Sequence, residues 1–245
     1  MGTNQTRTHS LLAFFAHPDD ETFRVGGMLT LLAQHGVSVQ IVTATRGEAG
    51  TSGEKRFSNP EELAAIRESE LLNACKTLKI NPPIILNYAD GHLSDIAPDK
   101  FCNEFLSITN EYQPQVMLSF GPDGLSGHPD HIAIGSCIDD VFLNYQKAAA
   151  LYHVAVPKSI KQLLGMNQII PVPDQQVTLT LDVHTVWETK MKAIRCHASQ
   201  LSSSPILSQS KERQLKFLSI EHYVRILVPN PDKDFIPGLL KGYLK

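Results

Sequence analysis

The chain has no excess of positive charge: 22 Lys and Arg stand against 25 Asp and Glu, with the signs mixed along 245 residues and a formal net charge of −3. Phosphate backbones are gripped by a basic stripe or patch, so nucleic acid is not expected as a partner. Long apolar runs are also missing. "LLAFFA" (11–16) is far shorter than the roughly 20 residues of a membrane span. The polar start "MGTNQTRTHS" lacks the basic opening of a secretory signal, and "MGTNQT" fits only the permissive pattern for N-myristoylation. A soluble, cytoplasmic protein with no membrane partner is therefore expected. Cysteine is sparse: Cys75, Cys102, Cys137 and Cys196 form no CxxC pair, which argues against a disulfide framework or thiolate zinc site and predicts four reduced thiols. No repeat appears, and no GxGxxG follows the first apolar run, since "RVGGML" falls inside a helical pattern.

The chain does have enough apolar material, 42% of its residues, to bury the core of one domain over 1–245, whereas a second would be cramped. Short apolar runs alternate with amphipathic stretches. "LLAFFA" leads to a helical pattern through "VGGMLTLLAQHG", then to "VSVQIVTAT" (37–45). A helix from "NPEELAAIRESELLNACKTL" follows, with Pro60 suited to its first turn, then "IILNY", a helix near 98–112 and "QVMLSF" (115–120). Runs that are apolar throughout predict an α/β fold with a mostly parallel sheet flanked by helices on both faces. Past residue 150, "LYHVAV", "VTLTLDV" and "YVRILV" read as strands, "HTVWETKMKAIRCHASQ" as a helix and "NQIIPVPDQQ" (167–176) as a connecting loop.

Two short motifs carry the chemistry. "AHPDDE" (16–21) follows the first strand, and "HPDH" (128–131) follows "QVMLSFGPDGLSG"; each then enters an apolar-periodic helix. Residues just past the carboxyl ends of parallel strands line the ligand crevice at a switch point, so the two motifs are predicted to face each other. His17, Asp20 and His131 then supply two imidazoles and a carboxylate, an open catalytic zinc set that also accepts iron(II) or cobalt. Asp19 is the spare carboxylate, fit to take a proton from an attacking water. His128 is the spare imidazole, placed to stabilise an oxyanion or protonate a leaving amine, and Asp130 would orient a histidine. Either motif alone has a plain alternative, acidic capping of a helix N-terminus; their pairing makes that alternative the weaker one.

At these residues the chain resembles the LmbE-like, or PIG-L, zinc-dependent N-deacetylases, whose two motifs stand intact here. "TRGEAG" (45–50), "IRESEL" (66–71), "YADGHL" (88–93) and "KMKAIRCHASQ" (190–200) extend the likeness over most of the chain. The resemblance implies a Rossmann-like fold and removal of acetate from an N-acetylglucosamine-like small-molecule conjugate. It implies His17, Asp20 and His131 as zinc ligands, Asp19 as general base and His128 as the residue that stabilises the tetrahedral intermediate. Some members carry a tyrosine two residues before the first histidine of HPDH; here that position is Ser126. Arg67 matches a substrate-contacting arginine and Asp90 a sugar-contacting acid, with a solvated helix residue and an Asp-Gly turn as their plain alternatives. Glu48, in a Gly-flanked loop, either borders the site or is simply solvated.

His197 and Gln200 resemble a late family motif, but a helix C-terminus also favours histidine, so both stay outside the catalytic set. His35, His92, His153, His184 and His222 read as ordinary surface or core histidines, and Trp187 and Met191 as core. Competing functions are cleavage of a larger amide or thiol conjugate, phosphoester hydrolysis, or sugar binding without chemistry. The sequence has no second carboxylate-rich set of the two-metal kind, and both Asp19 and His128 are present. Oligomeric state is open, a homo-oligomer being allowed. Arg67→Ala is expected to change kcat/KM on a sugar conjugate while leaving metal content at the wild-type level, because a guanidinium fork suits hydroxyl or phosphate groups; unchanged kinetics would return Arg67 to a plain helix residue.

Overall fold

The computed structural model describes residues 9–50, 59–164, 167–226 and 231–245. Strand β1 (Ser10–Phe15) is buried from its second residue onward, as is β2 (Ser38–Thr45), which is why neither alternates in polarity. Between them lie the single turn α1 (Asp20–Phe23) and helix α2 (Gly26–Gln34). Helix α3 (Pro60–Leu78) begins where the sequence signals it: Asn59 accepts the Glu62 N–H at 2.8 Å and Pro60 occupies the first turn. There follow β3 (Ile84–Tyr88), α4 (Pro98–Tyr112), β4 (Val116–Phe120), α5 (Pro129–Tyr145) and β5 (Ala150–Ala155). The last third holds α6 (Lys158–Leu164), β6 (Leu179–Asp182), α7 (Trp187–Cys196), α8 (Lys211–Leu218), β7 (Ile220–Ile226) and α9 (Ile236–Leu239).

The seven strands form one sheet in the order β3-β2-β1-β4-β5-β7-β6. The first five pair in parallel, and β7 runs antiparallel to both β5 and β6. The expected mostly parallel α/β sheet is thus present, with an antiparallel edge that apolar patterning alone does not reveal. Helices α2, α3 and α7 pack together, while α4 packs on α5. The chain winds outward from β1 to β3 and then returns to β4 and β5, so the switch point lies between β1 and β4.

Most boundaries fall close to expectation, and α4 covers the expected 98–112. The 184–200 helix is shorter than predicted: a 3₁₀ turn precedes α7, which ends at Cys196. The 167–176 stretch is the expected connection, tied down by a Pro157–Val172 bridge and a 3₁₀ turn at Asp174–Gln176. "MGTNQT", the end of "YVRILV" and residues 51–53 of the Gly-rich loop lie outside the described residues. No helix among the described residues is long and apolar enough to cross a membrane. The expectation of four reduced thiols is corrected. Packing of α4 on α5 brings Cys102 and Cys137 together as a disulfide-bonded pair with Cα atoms 5.3 Å apart across 35 residues, leaving Cys75 and Cys196 free. Sequence spacing could not report a pairing that two packed helices create.

The C-terminal third is locked to the N-terminal half by a buried carboxylate. Glu221 on β7 accepts the N–H groups of Gly27 and Met28, both at 2.8 Å, capping the start of α2 from across the fold. Lys190 on α7 balances it, donating to Glu221 at 2.7 Å and to the Leu218 carbonyl at 2.6 Å, with both charged side chains fully buried. Gly27 also lets Val183 close on the helix, since an added Cβ would lie 2.5 Å from the Val183 Cβ. Removing one partner of such a pair strands the other charge. Lys190→Met is expected to lower unfolding stability by about 3–5 kcal/mol, read from urea denaturation followed by circular dichroism.

Candidate metal centre

The pairing of β1 with β4 sets the site. His17 lies two residues past the end of β1, Asp20 opens α1, and the loop after β4 delivers His128 and His131 to the start of α5. The two motifs meet as expected. His17 Nδ1 stands 3.2 Å from His131 Nε2 and 3.7 Å from Asp20 Oδ2, and His131 Nε2 is 3.3 Å from Asp20 Oδ1. A tetrahedral ion with N and O bonds near 2.0–2.2 Å sets its donors roughly 3.4 Å apart; the two imidazole nitrogens stand near that separation, and Asp20 faces them with different oxygens, Oδ1 toward His131 and Oδ2 toward His17. Each donor is aimed from behind. The second oxygen of Asp20 accepts the His17 and Ala16 N–H groups at 2.9 and 3.2 Å. His131 has its other nitrogen 3.1 Å from the Gly124 carbonyl and its ring stacked on Phe120.

The far side of the His17 ring is held by two carboxylates, Asp130 at 3.1 Å and Asp90 at 3.0 Å from Nε2. Besides His17, His128 and His131, whose donor atoms all lie close enough together to share an ion, the carboxylates Asp90 and Asp130 lie close enough to do so with His17. Their surroundings argue for support instead. Asp130, fully buried, also accepts the Gly91 and Leu93 N–H groups at 2.8 and 3.0 Å, and Asp90 accepts that of Ala49 at 3.0 Å. Such a carboxylate behind a ligating histidine fixes its tautomer and raises its basicity. Burial opposes charge on His17, but Asp130 and Asp90 outweigh it and push the imidazole up to about 10. Burial lowers His131, favouring the neutral form that ligates a metal.

Asp19 is held differently from its neighbour. Its φ of 116° lies in the left-handed region, where a non-glycine residue costs about 1–3 kcal/mol. Its N–H donates to Glu21 at 3.0 Å, its carbonyl accepts from Thr22 N and Oγ1, and Arg67 stands 3.6 Å from its carboxylate. Burial raises the Asp19 carboxyl and Arg67 lowers it, leaving it pushed up to about 6. Arg67 is buried and donates to the carbonyls of Pro18 at 2.5 Å and Gly47 at 2.9 Å, joining the loops after β1 and β2. A Cβ at Gly47 or Gly50 would lie 2.5 Å from the guanidinium and force Arg67 to shift, and Gly47 also has a φ of 74° that favours glycine.

These groups open into a cavity of about 620 Å³ whose wall includes His17, Asp19, Asp20, His128 and His131, with Ser126, Gln168 and Gln200 around them. His128 is exposed at the start of α5, its ring 4.9 Å from that of His17 and its Nδ1 accepting the Asp130 N–H. Arg67 and Asp90 also line the cavity, yet much of their polar capacity goes to backbone and to His17. Glu48 is not solvated: it accepts the Asp90 N–H at 2.8 Å and so supports that support. Sequence reasoning passed over Glu21 and set His197 aside, but the two are 2.6 Å apart and buried beside Asp19. The available signal was "CHASQ", which a helix-dipole explanation had absorbed.

Residues 12–142, more than half of the chain, match the PIG-L family, described as GlcNAc-PI de-N-acetylase. The chain belongs to this family. It is 29% identical to a probable N-acetyl-alpha-D-glucosaminyl L-malate deacetylase 2 of Bacillus subtilis, covering 78% of this chain and 82% of the relative. It is 27% identical to the 1D-myo-inositol 2-acetamido-2-deoxy-alpha-D-glucopyranoside deacetylase of Mycobacteroides abscessus, covering 89% and 92%. The N,N'-diacetylchitobiose deacetylase of Pyrococcus horikoshii shares the fold, with a TM-score of 0.66 at 21% identity over 89% of this chain and 84% of that one. So does GalB, a 4-carboxy-2-hydroxymuconate hydratase of Pseudomonas putida, with a TM-score of 0.66 at 19% identity over 90% and 97%. The fold alone therefore does not select the reaction.

One divalent metal per chain is expected, and His17→Ala and His131→Ala, correctly folded, should each lose it by elemental analysis. Asp130→Asn is expected to keep the ligands but weaken metal affinity about 10–100-fold, measured by competition with a chromogenic chelator.

Proposed function

We propose that the chain is a single deacetylase domain that removes the acetyl group from an N-acetylglucosamine-like conjugate, releasing acetate and the free amine. The observation that carries this reading is the convergence of His17, Asp20 and His131 on one point, with a separately held carboxylate, Asp19, next to it. Relatives whose names specify acetamido-sugar conjugates support the substrate class.

A divalent metal held by His17, Asp20 and His131, zinc by ligand type, would supply Lewis acidity to a water and to the acetamide carbonyl. The protein's own groups do the rest. Asp19, with its carboxyl pushed up to about 6, takes a proton from the attacking water and can pass it on, since a base titrating near the working pH serves both tasks. His128, exposed at the cavity wall, lies where it can donate to the developing oxyanion or to the departing nitrogen. Asp130 and Asp90 hold His17 in one orientation throughout. Ser126 lines the cavity where some relatives are expected to carry tyrosine, and its hydroxyl is too short to take over a phenol's reach.

Asp19→Asn is expected to retain metal at the wild-type level and lose about 10²–10⁴-fold in turnover, because the amide is nearly isosteric but accepts no proton. Asp20→Asn should instead lose metal. Acetate release from a panel of N-acetylglucosamine conjugates, with metal stoichiometry on the same preparations, checks both; metal loss on Asp19→Asn with retention on Asp20→Asn would exchange the two roles.

A further inference from the structure

Asp19 is the residue before α1, so its N–H has no helical partner, and its left-handed backbone is one that an L side chain rarely adopts. The group that takes this N–H is Glu21 Oε2, at 3.0 Å. Glu21 is 1% exposed, and a buried carboxylate needs a partner to remain charged. That partner is His197, fully buried, whose Nε2 lies 2.6 Å from Glu21 Oε1. The histidine comes from the far end of the chain, 176 residues away, at the end of α7.

The same segment is keyed a second time. Ser199 donates its N–H and hydroxyl to Glu70, both at 2.7 Å. Glu70 lies one turn along α3 from Arg67, whose guanidinium holds the Pro18 carbonyl. The end of α7 therefore reaches the Asp19 turn from two sides. Docking of α7 alone would use one Glu21 oxygen; here the second oxygen is spent on the Asp19 peptide.

We propose that Glu21 and His197 are positioning residues for Asp19, a buried carboxylate–imidazole pair that fixes the Asp19 peptide and thereby aims its carboxylate. The inference rests on the reading of Asp19 as general base, and its test separates the two. The first readout needs no substrate. Amide hydrogen exchange at Asp19, followed by NMR, should be slow in the wild-type protein and at least about tenfold faster in Glu21→Gln and His197→Gln, with β1 amides unchanged. A glutamine at position 21 keeps one acceptor oxygen and can meet His197 only by donating its NH2 to a neutral Nε2, so the charge-assisted hold on the Asp19 N–H is lost. The second readout is kinetic: on the best acetamide substrate either variant should lose about 10–100-fold in kcat with KM and metal content near wild type. In an Asp19→Asn background the same substitution should cost less than about twofold, because residues that act as a unit are not additive.

Unchanged Asp19 exchange, or equal losses in both backgrounds, would overturn the proposal. Should Glu21→Gln fail to fold, His197→Gln leaves Glu21 in place and carries both readouts. If the wild-type protein protects the Asp19 amide through Glu21 yet releases acetate from no conjugate, the deacetylase reading fails and the positioning pair stands.

Discussion

Everything at the site depends on the parallel pairing of β1 with β4, in which Leu11, Leu12 and Ala13 lie beside Val116, Met117 and Leu118. These two strands are more than a hundred residues apart in sequence, and each ends in a turn that begins a helix. That pairing brings the turns after the two strands together, so that the His17 and His131 rings and the Asp20 carboxylate crowd one small volume. A slip of one residue in that pairing would turn the strand side chains to the opposite faces and shift one turn against the other. Apart from Ser10 the two strands are buried throughout, which gives the register its strength.

Crowding of this kind is an electrostatic problem. Asp20, Asp90 and Asp130 surround His17, and the arrangement is tolerable because each of these carboxylates has its own donors. Asp20 takes backbone N–H groups from its own turn, Asp130 from residues 91 and 93, and Asp90 from residue 49. A proposed metal would add two positive charges at the point where the three donors meet. Asp19 is set apart by the Arg67 guanidinium and by its backbone, which is why two adjacent, chemically identical residues can be assigned different work.

The later part of the chain contributes no proposed metal ligand, yet it braces the front half. Glu221 caps α2 from β7, Lys190 balances it from α7, and His197 and Ser199 reach Glu21 and Glu70. Each contact satisfies a buried polar group that would otherwise be costly. The result ties the position of the Asp19 turn to the docking of helix α7.

The sequence by itself determined the parallel α/β core, because fully buried strands must be apolar throughout, and it marked both motifs as strand-end turns, because the same ligand types recur in two His-Pro-Asp stretches, of which only Pro129 begins a helix while Pro18 precedes the Asp19 that leads into α1. It placed His17, Asp20, His131, Asp19, His128 and Asp130 in one candidate site. Only the tertiary structure decided what stands behind them. Asp90, which local sequence presents as an Asp-Gly turn, is pressed against His17, and Glu48 against Asp90. Cys102 and Cys137 pair through helix packing, and β7 joins the sheet antiparallel. His197 finds Glu21 across 176 residues. Periodicity and spacing record what a residue does within its own element; which distant carboxylate meets which imidazole is fixed by how the elements pack, and no local pattern encodes that.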